Sequence, residues 1–198
     1  MLCREFFESL PDSGKEAKQR TKLIDERFPE GECQLEVVSE HSHGIVGDAE
    51  HVHRYVISPH HVDRDTGQIL PVFFTDCSSI GLSCQRSPDE DASVAIQAQG
   101  QAMVDDWNGK NPDSDKPRQY LGVVSAKADH IRRMVGRADA PKAPDGYEKQ
   151  MMAIYDSALA QDATHVDVCL MEQGRDRAKS KLARLELALV FTGAPVLS

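Results

Sequence analysis

Long apolar runs are missing from this chain. A membrane-spanning helix needs roughly 20 mostly apolar residues, and the runs here are only a few residues long. The opening MLCREFFESL has an early acid and no apolar stretch ending in small residues, so it does not read as a secretory leader. A cytoplasmic protein without membrane contact is the expectation. The five cysteines are an odd number with no C-x-x-C pair, which speaks against both a disulfide framework and a zinc ribbon. Free, mostly buried thiols are expected. Positive charge is also short: 23 Lys and Arg stand against 32 Asp and Glu, a net charge of -9. That balance excludes a broad basic surface coating nucleic acid. Walker loops, G-x-G-x-x-G, G-x-S-x-G and H-E-x-x-H are all absent.

With 198 residues, the chain is long enough for one well-filled core. Alternation predicts strands near 51–58, 71–85, 120–125 and 165–171, while 3.6-residue spacing predicts helices near 89–107, 147–161 and 175–188. VFFT falls in the second strand region. The long helix after Ser87 should be capped by Ser87 or Asp89, and Gly100 weakens it by about 1 kcal/mol relative to Ala. Strands and helices do not alternate regularly, so the fold class expected is α+β, a mixed or antiparallel sheet wrapped by helices. Residues 1–47 read as a helical and loop extension packed on a single domain spanning 48–198, with CQLEVVSE at 33–40 a possible first strand.

Six of the eight histidines fall between Glu40 and Arg86: His41, His43, His51, His53, His60 and His61. On a strand HVHRYVIS, His51, His53, Tyr55 and Ile57 share one face and Val52, Arg54 and Val56 the other. Neutral imidazole is a common transition-metal ligand, so His51 and His53 are candidate ligands for a divalent metal such as zinc. Without metal, the same pair can exchange protons with a substrate while the Arg54 guanidinium holds a phosphate. His51, His53 and Arg54 are therefore the candidate catalytic residues, and Arg54, Ser79, Ser83 and Arg86 the candidate ligand contacts. This predicts a phosphate-bearing ligand, a nucleotide or an RNA end, and a possible phosphodiester- or nucleotide-processing hydrolase. The paired H-x-S/T elements of the two-histidine phosphodiesterases are not present, since HSH and HVH differ from them. Structural, hydrogen-bonded histidines are the competing reading. His165 and Asp167 also share one strand face and can reach the same cleft.

The order Arg54, then Ser78, Ser79 and Ser83, then Glu172 or Glu186 loosely resembles ADP-ribosyltransferase-type sites. The resemblance implies an NAD-using enzyme in which the arginine and serines shape a dinucleotide pocket and the glutamate polarises the ribose. It covers isolated residues: the family's S-T-S run is absent, and no E-x-E or Q-x-E strand follows the serines. A non-catalytic reading also follows from the charge, an acidic accessory or inhibitor protein docking on a basic protein partner.

Overall fold

The structure is a computed structural model that describes residues 2–63, 65–66, 68–134, 150–171 and 177–193. Five strands form one antiparallel sheet in the order β3-β1-β2-β5-β4, with β1 at His51–Ser58, β2 at Leu82–Ser87, β3 at Gln119–Lys127, β4 at Met152–Tyr155 and β5 at His165–Leu170. The helices are α1 at Cys3–Glu8, α2 at Arg20–Arg27, α3 at Val94–Lys110, α4 at Ala128–Arg132 and α5 at Arg177–Val190. This is an α+β fold, as the sequence pattern predicts.

One sheet face carries apolar residues from every strand. Val52 and Val56, Val124 and Ala126, Leu82 and Cys84, Val166 and Val168, and Met152 and Ile154 all belong to one buried cluster. Covering it are a 3-10 segment at Pro71–Ser78 and the inner stripe of α5, with Phe73, Phe74, Ala183, Leu187 and Phe191 in the same cluster. Burial on this continuous face supplies the main driving force for the fold.

The opposite face is covered in two separate places. Near β4 and β5, α1 and α2 bring Phe7, Leu10 and Ile24 onto Ala153, Tyr155 and Cys169, with the Phe7 and Tyr155 rings 4.9 Å apart. Near β1 and β3 lies α3, whose Gly100 meets Tyr55 and Tyr120. Between them runs a band of polar residues from β1, β2 and β5.

Several elements differ from the sequence expectation, each for a packing reason. VFFT is not a strand: Phe73 and Phe74 are both buried, which the alternation of a half-buried strand would not allow. The segment instead coils across the sheet as 3-10 turns, with Pro71 in the first turn. The helix expected at 147–161 has its first residues, 147–149, outside the described residues, and further along it is strand β4. All four β4 residues are buried, because Met152 and Ile154 face the main core while Ala153 and Tyr155 face the N-terminal cluster. A strand covered on both faces loses its alternation and can match a helical spacing by coincidence. CQLEVVSE contains a 3-10 turn at Glu32–Leu35 in place of a strand. There the buried Gln34 side chain accepts from the Ile154 amide at 3.0 Å, satisfying a donor of edge strand β4. Two cysteines expected as free thiols, Cys3 and Cys33, form a disulfide that ties α1 to this turn. Cys77, Cys84 and Cys169 are free and buried.

The α3 cap also moves. Ser93 caps the helix by accepting from the Ile96 amide, while Ser87 is the last residue of β2. Gly100 has a reason to be glycine. A Cβ there would stand 2.5 Å from the Tyr120 ring and 2.8 Å from that of Tyr55, and the two rings pack edge to face with centroids 6.0 Å apart. Overpacking costs about 1–3 kcal/mol, more than the roughly 1 kcal/mol that alanine gains in a helix. Gly100→Ala is expected to lower the midpoint of urea unfolding, and a raised midpoint would contradict the close packing of α3 on the tyrosine pair.

Candidate functional site

Register decides where the predicted site residues go. β1 pairs with β3 so that His51 faces Lys127 and His53 faces Ser125, and with β2 so that His51 faces Ser87 and His53 faces Gln85. His51 and His53 share the α3 face, and Arg54 points to the other. The three predicted catalytic residues do not meet in one cleft.

Arg54 is buried in the main core. Its guanidinium donates to the Phe73 carbonyl at 3.2 and 2.9 Å and to the Ser83 carbonyl at 2.9 Å. It also stacks over the Phe73 ring, 4.7 Å from the centroid, with Asp76 at 3.7 Å. Burial pushes its pKa down from the ordinary value, and the neighbouring Cys84 and Asp76 oppose that shift. Arg54 thus ties the 3-10 segment to β2, and its donors are committed to backbone carbonyls. The same placement removes the arginine from the expected dinucleotide pocket. Glu186 lies on helix α5 in place of a strand, and Glu172 falls outside the described residues.

His53 is fully buried. Its Nδ1 is 2.7 Å from the Ser125 hydroxyl and its Nε2 is 2.8 Å from that of Ser87. The Ser87 hydroxyl donates to the Asp89 carbonyl at 2.8 Å, so it accepts from His53. Nε2 therefore carries the proton, and Nδ1 accepts from Ser125. Both nitrogens are satisfied in a neutral ring, leaving none for a metal or for proton transfer. Among the described residues no group of three His, Cys, Asp or Glu side chains is placed to hold a metal ion.

Arg86, expected as a ligand contact, is also engaged internally. It makes a two-pronged pair with Glu50 at 2.7 and 2.8 Å, donates to the carbonyls of Gly44 and Ile45, and lies 3.0 Å from the buried Asp156. Asp156 accepts in turn from Ser42. This network pins the 41–50 loop onto the sheet, and Arg132 does the same from α4 through the Val46 carbonyl at 2.7 Å. Ser79 lends its carbonyl to Thr21 of α2 at 2.9 Å. His61 accepts from the Ile57 amide at 3.1 Å and packs on Phe73.

Two places keep unused polar capacity, the first near the outer edge of β3 where α5 ends and the second on the α3 face. At the end of the sheet where β1 begins and β3 ends, a pocket of about 590 Å³ is lined by His51, Ser125, Lys127, His130, Glu90 and Leu189, among others. Among the described residues, the buried His51 Nδ1 has no hydrogen-bond partner. On the α3 face, Ser83, His165 and Asp167 come together across β2 and β5. Lys127, His130 and Glu90 carried no signal in the sequence, since α4 and the loop after β2 reach His51 only through folding.

The fold and these polar sites define a small α+β protein with a single antiparallel sheet and a polar band on one face. In comparisons with protein families, curated proteins and solved structures, the chain shows no match.

Burial, and after it the neighbouring His51, pushes the His53 pKa from its ordinary 6.5 to about 4. Burial and the Arg54 charge do the same for His61. The unfolded chain takes up these protons near the ordinary value and the folded chain only near 4. The stabilisation is thus complete above about pH 6.5 and is lost as pH falls toward 4. Unfolding free energy measured by urea between pH 7 and 5, above the ordinary carboxylate range, should fall by on the order of 2 kcal/mol from His53 alone. A flat profile would contradict the neutral, doubly bonded ring.

Proposed function

We propose that this chain binds a small phosphate-bearing ligand, a nucleotide being the leading candidate, in the pocket beside His51. The observation that carries the reading is a pocket whose wall brings Lys127 together with His51 and His130. A volume of about 590 Å³ suits a ligand of that size, because small-molecule sites occupy about 300–1,000 Å³. Lys127 supplies a point charge for a phosphate, and the two imidazoles and the Thr192 hydroxyl supply directional contacts. Glu90 suits sugar hydroxyls. The apolar Leu189 and Val190 give a base something to lie against. In a chain of net charge -9, attraction of an anion must be local, and these groups are the local source.

His51 and His130 are then the groups available for proton exchange with a phosphodiester, in place of the His51, His53 and Arg54 set expected from the sequence. The cytoplasmic setting expected from the sequence belongs to this proposal, and the Cys3–Cys33 bond weighs against it, since reducing compartments seldom retain such bonds.

Thermal denaturation with inorganic phosphate and with nucleoside monophosphates tests the reading. Ligand at a hundred times its Kd should stabilise the protein by about 2.7 kcal/mol. The shift should weaken with added salt and disappear in both His51→Ala and Lys127→Ala. No shift at millimolar ligand, or a shift that survives both substitutions, would overturn the proposal.

A further inference from the structure

Ser83 and His165 stand diagonally across the β2–β5 ladder. The register pairs Ser83 with Asp167 and Gln85 with His165, so Ser83, His165 and Asp167 emerge on the same face. The Ser83 hydroxyl is exposed and lies 2.9 Å from His165 Nε2. His165 Nδ1 is 3.0 Å from the Ser157 carbonyl. The Ser157 hydroxyl also lies 3.1 Å from Nδ1. In the tautomer whose Nδ1 proton is donated to the carbonyl, which only accepts, Nε2 presents its lone pair and the Ser83 hydroxyl donates to it.

That tautomer is the one a general base needs beside a nucleophilic serine. The Asp167 Oδ1 lies 3.9 Å from Nε2, where it faces the positive charge that appears on the ring when Ser83 loses its proton. Arg20, the first residue of α2, lies 3.7 Å from the other Asp167 oxygen and fixes that carboxylate. Gly81 leaves room for it: its φ is +97°, and a Cβ there would come 3.0 Å from the Asp167 carboxyl. Beside the group a cleft of about 280 Å³ has Arg20 and Ser157 in its wall, the residues that touch Asp167 and His165.

We infer that Ser83 and His165 form a nucleophile and general-base pair for acyl transfer from a small carboxylic ester. Ser83 Oγ bonds to the acyl carbon as its proton passes to His165 Nε2. The carbon–oxygen bond to the alcohol breaks, and the alcohol leaves with that proton. Water then gives a proton to Nε2 and attacks the acyl-serine, and the carboxylic acid leaves as Ser83 recovers its hydrogen. Ester and water become acid and alcohol, with no other reactant. The pair is separate from the His51 pocket, and its test does not depend on a phosphate-bearing ligand.

The test is labelling of the intact protein with a fluorophosphonate, read by mass spectrometry with peptide mapping. A single adduct on Ser83 is expected, lost when the protein is denatured first and absent in Ser83→Ala. In His165→Asn the labelling rate should fall by about 10²–10⁴-fold, the usual contribution of a general base, with far-UV circular dichroism and thermal midpoint unchanged. The wild-type rate should rise with pH along a single titration that the His165→Asn protein lacks. No adduct, an adduct on another residue, or a rate that His165→Asn leaves unchanged would overturn the assignment and leave Ser83 and His165 as a hydrogen bond on the sheet surface. If His165→Asn does not fold, the wild-type adduct and its pH profile still decide between the two.

Discussion

The register of β1 between β2 and β3 is the constraint on which the rest depends. It sets Val52, Arg54 and Val56 against the apolar core and His51, His53 and Tyr55 against the α3 side. A slip of one residue would exchange the two sets. His53 would then enter an apolar core without Ser125 and Ser87, and Arg54 would lose the carbonyls of Phe73 and Ser83. Each loss leaves a buried polar group unsatisfied, at about 1–3 kcal/mol or more for a charge. Polar residues on both faces thus hold the register as firmly as the apolar ones.

A second level of organisation comes from arginines that serve the backbone. Arg54 holds the Phe73 carbonyl, Arg86 those of Gly44 and Ile45, and Arg132 that of Val46. These segments have little regular structure of their own, and their carbonyls would otherwise lack partners away from solvent. Arginine suits the task because its planar fork carries five donors and stays charged. The cost is functional: Arg54 and Arg86, the two arginines expected from the sequence as ligand contacts, are committed to holding backbone. The free cysteines are also unsuited to nucleophilic chemistry, because burial pushes the Cys77 and Cys84 thiols up to about 12.

What remains for function is the polar band between the two helical covers. Its members differ in how far folding has satisfied them. His53 is neutral and fully bonded, whereas His51 keeps an unpartnered nitrogen and His165 Nε2 lies 2.9 Å from the hydroxyl of the exposed Ser83. Two histidines with similar alternation in the sequence, His51 and His53, end in opposite chemical states. The difference is made by two serines, one from β2 and one from β3.

The sequence by itself determined the α+β class, strands β1, β3 and β5, the long helix α3, and the face-sharing of His51 with His53 and of His165 with Asp167, because these follow from local period and from the alternation of side chains along a strand. It also marked Gly100 as an oddity in a helix, but its reason, the Tyr55 and Tyr120 rings, lies on strands β1 and β3. Only the tertiary structure decided that β4 is a strand, since burial on both faces erased its alternation, and that Arg54 and Arg86 hold backbone rather than ligand. It alone brought Ser83 to His165 and Lys127 with His130 to His51. These pairings join residues about 80 positions apart, and spacing along a chain carries no record of which strands become neighbours.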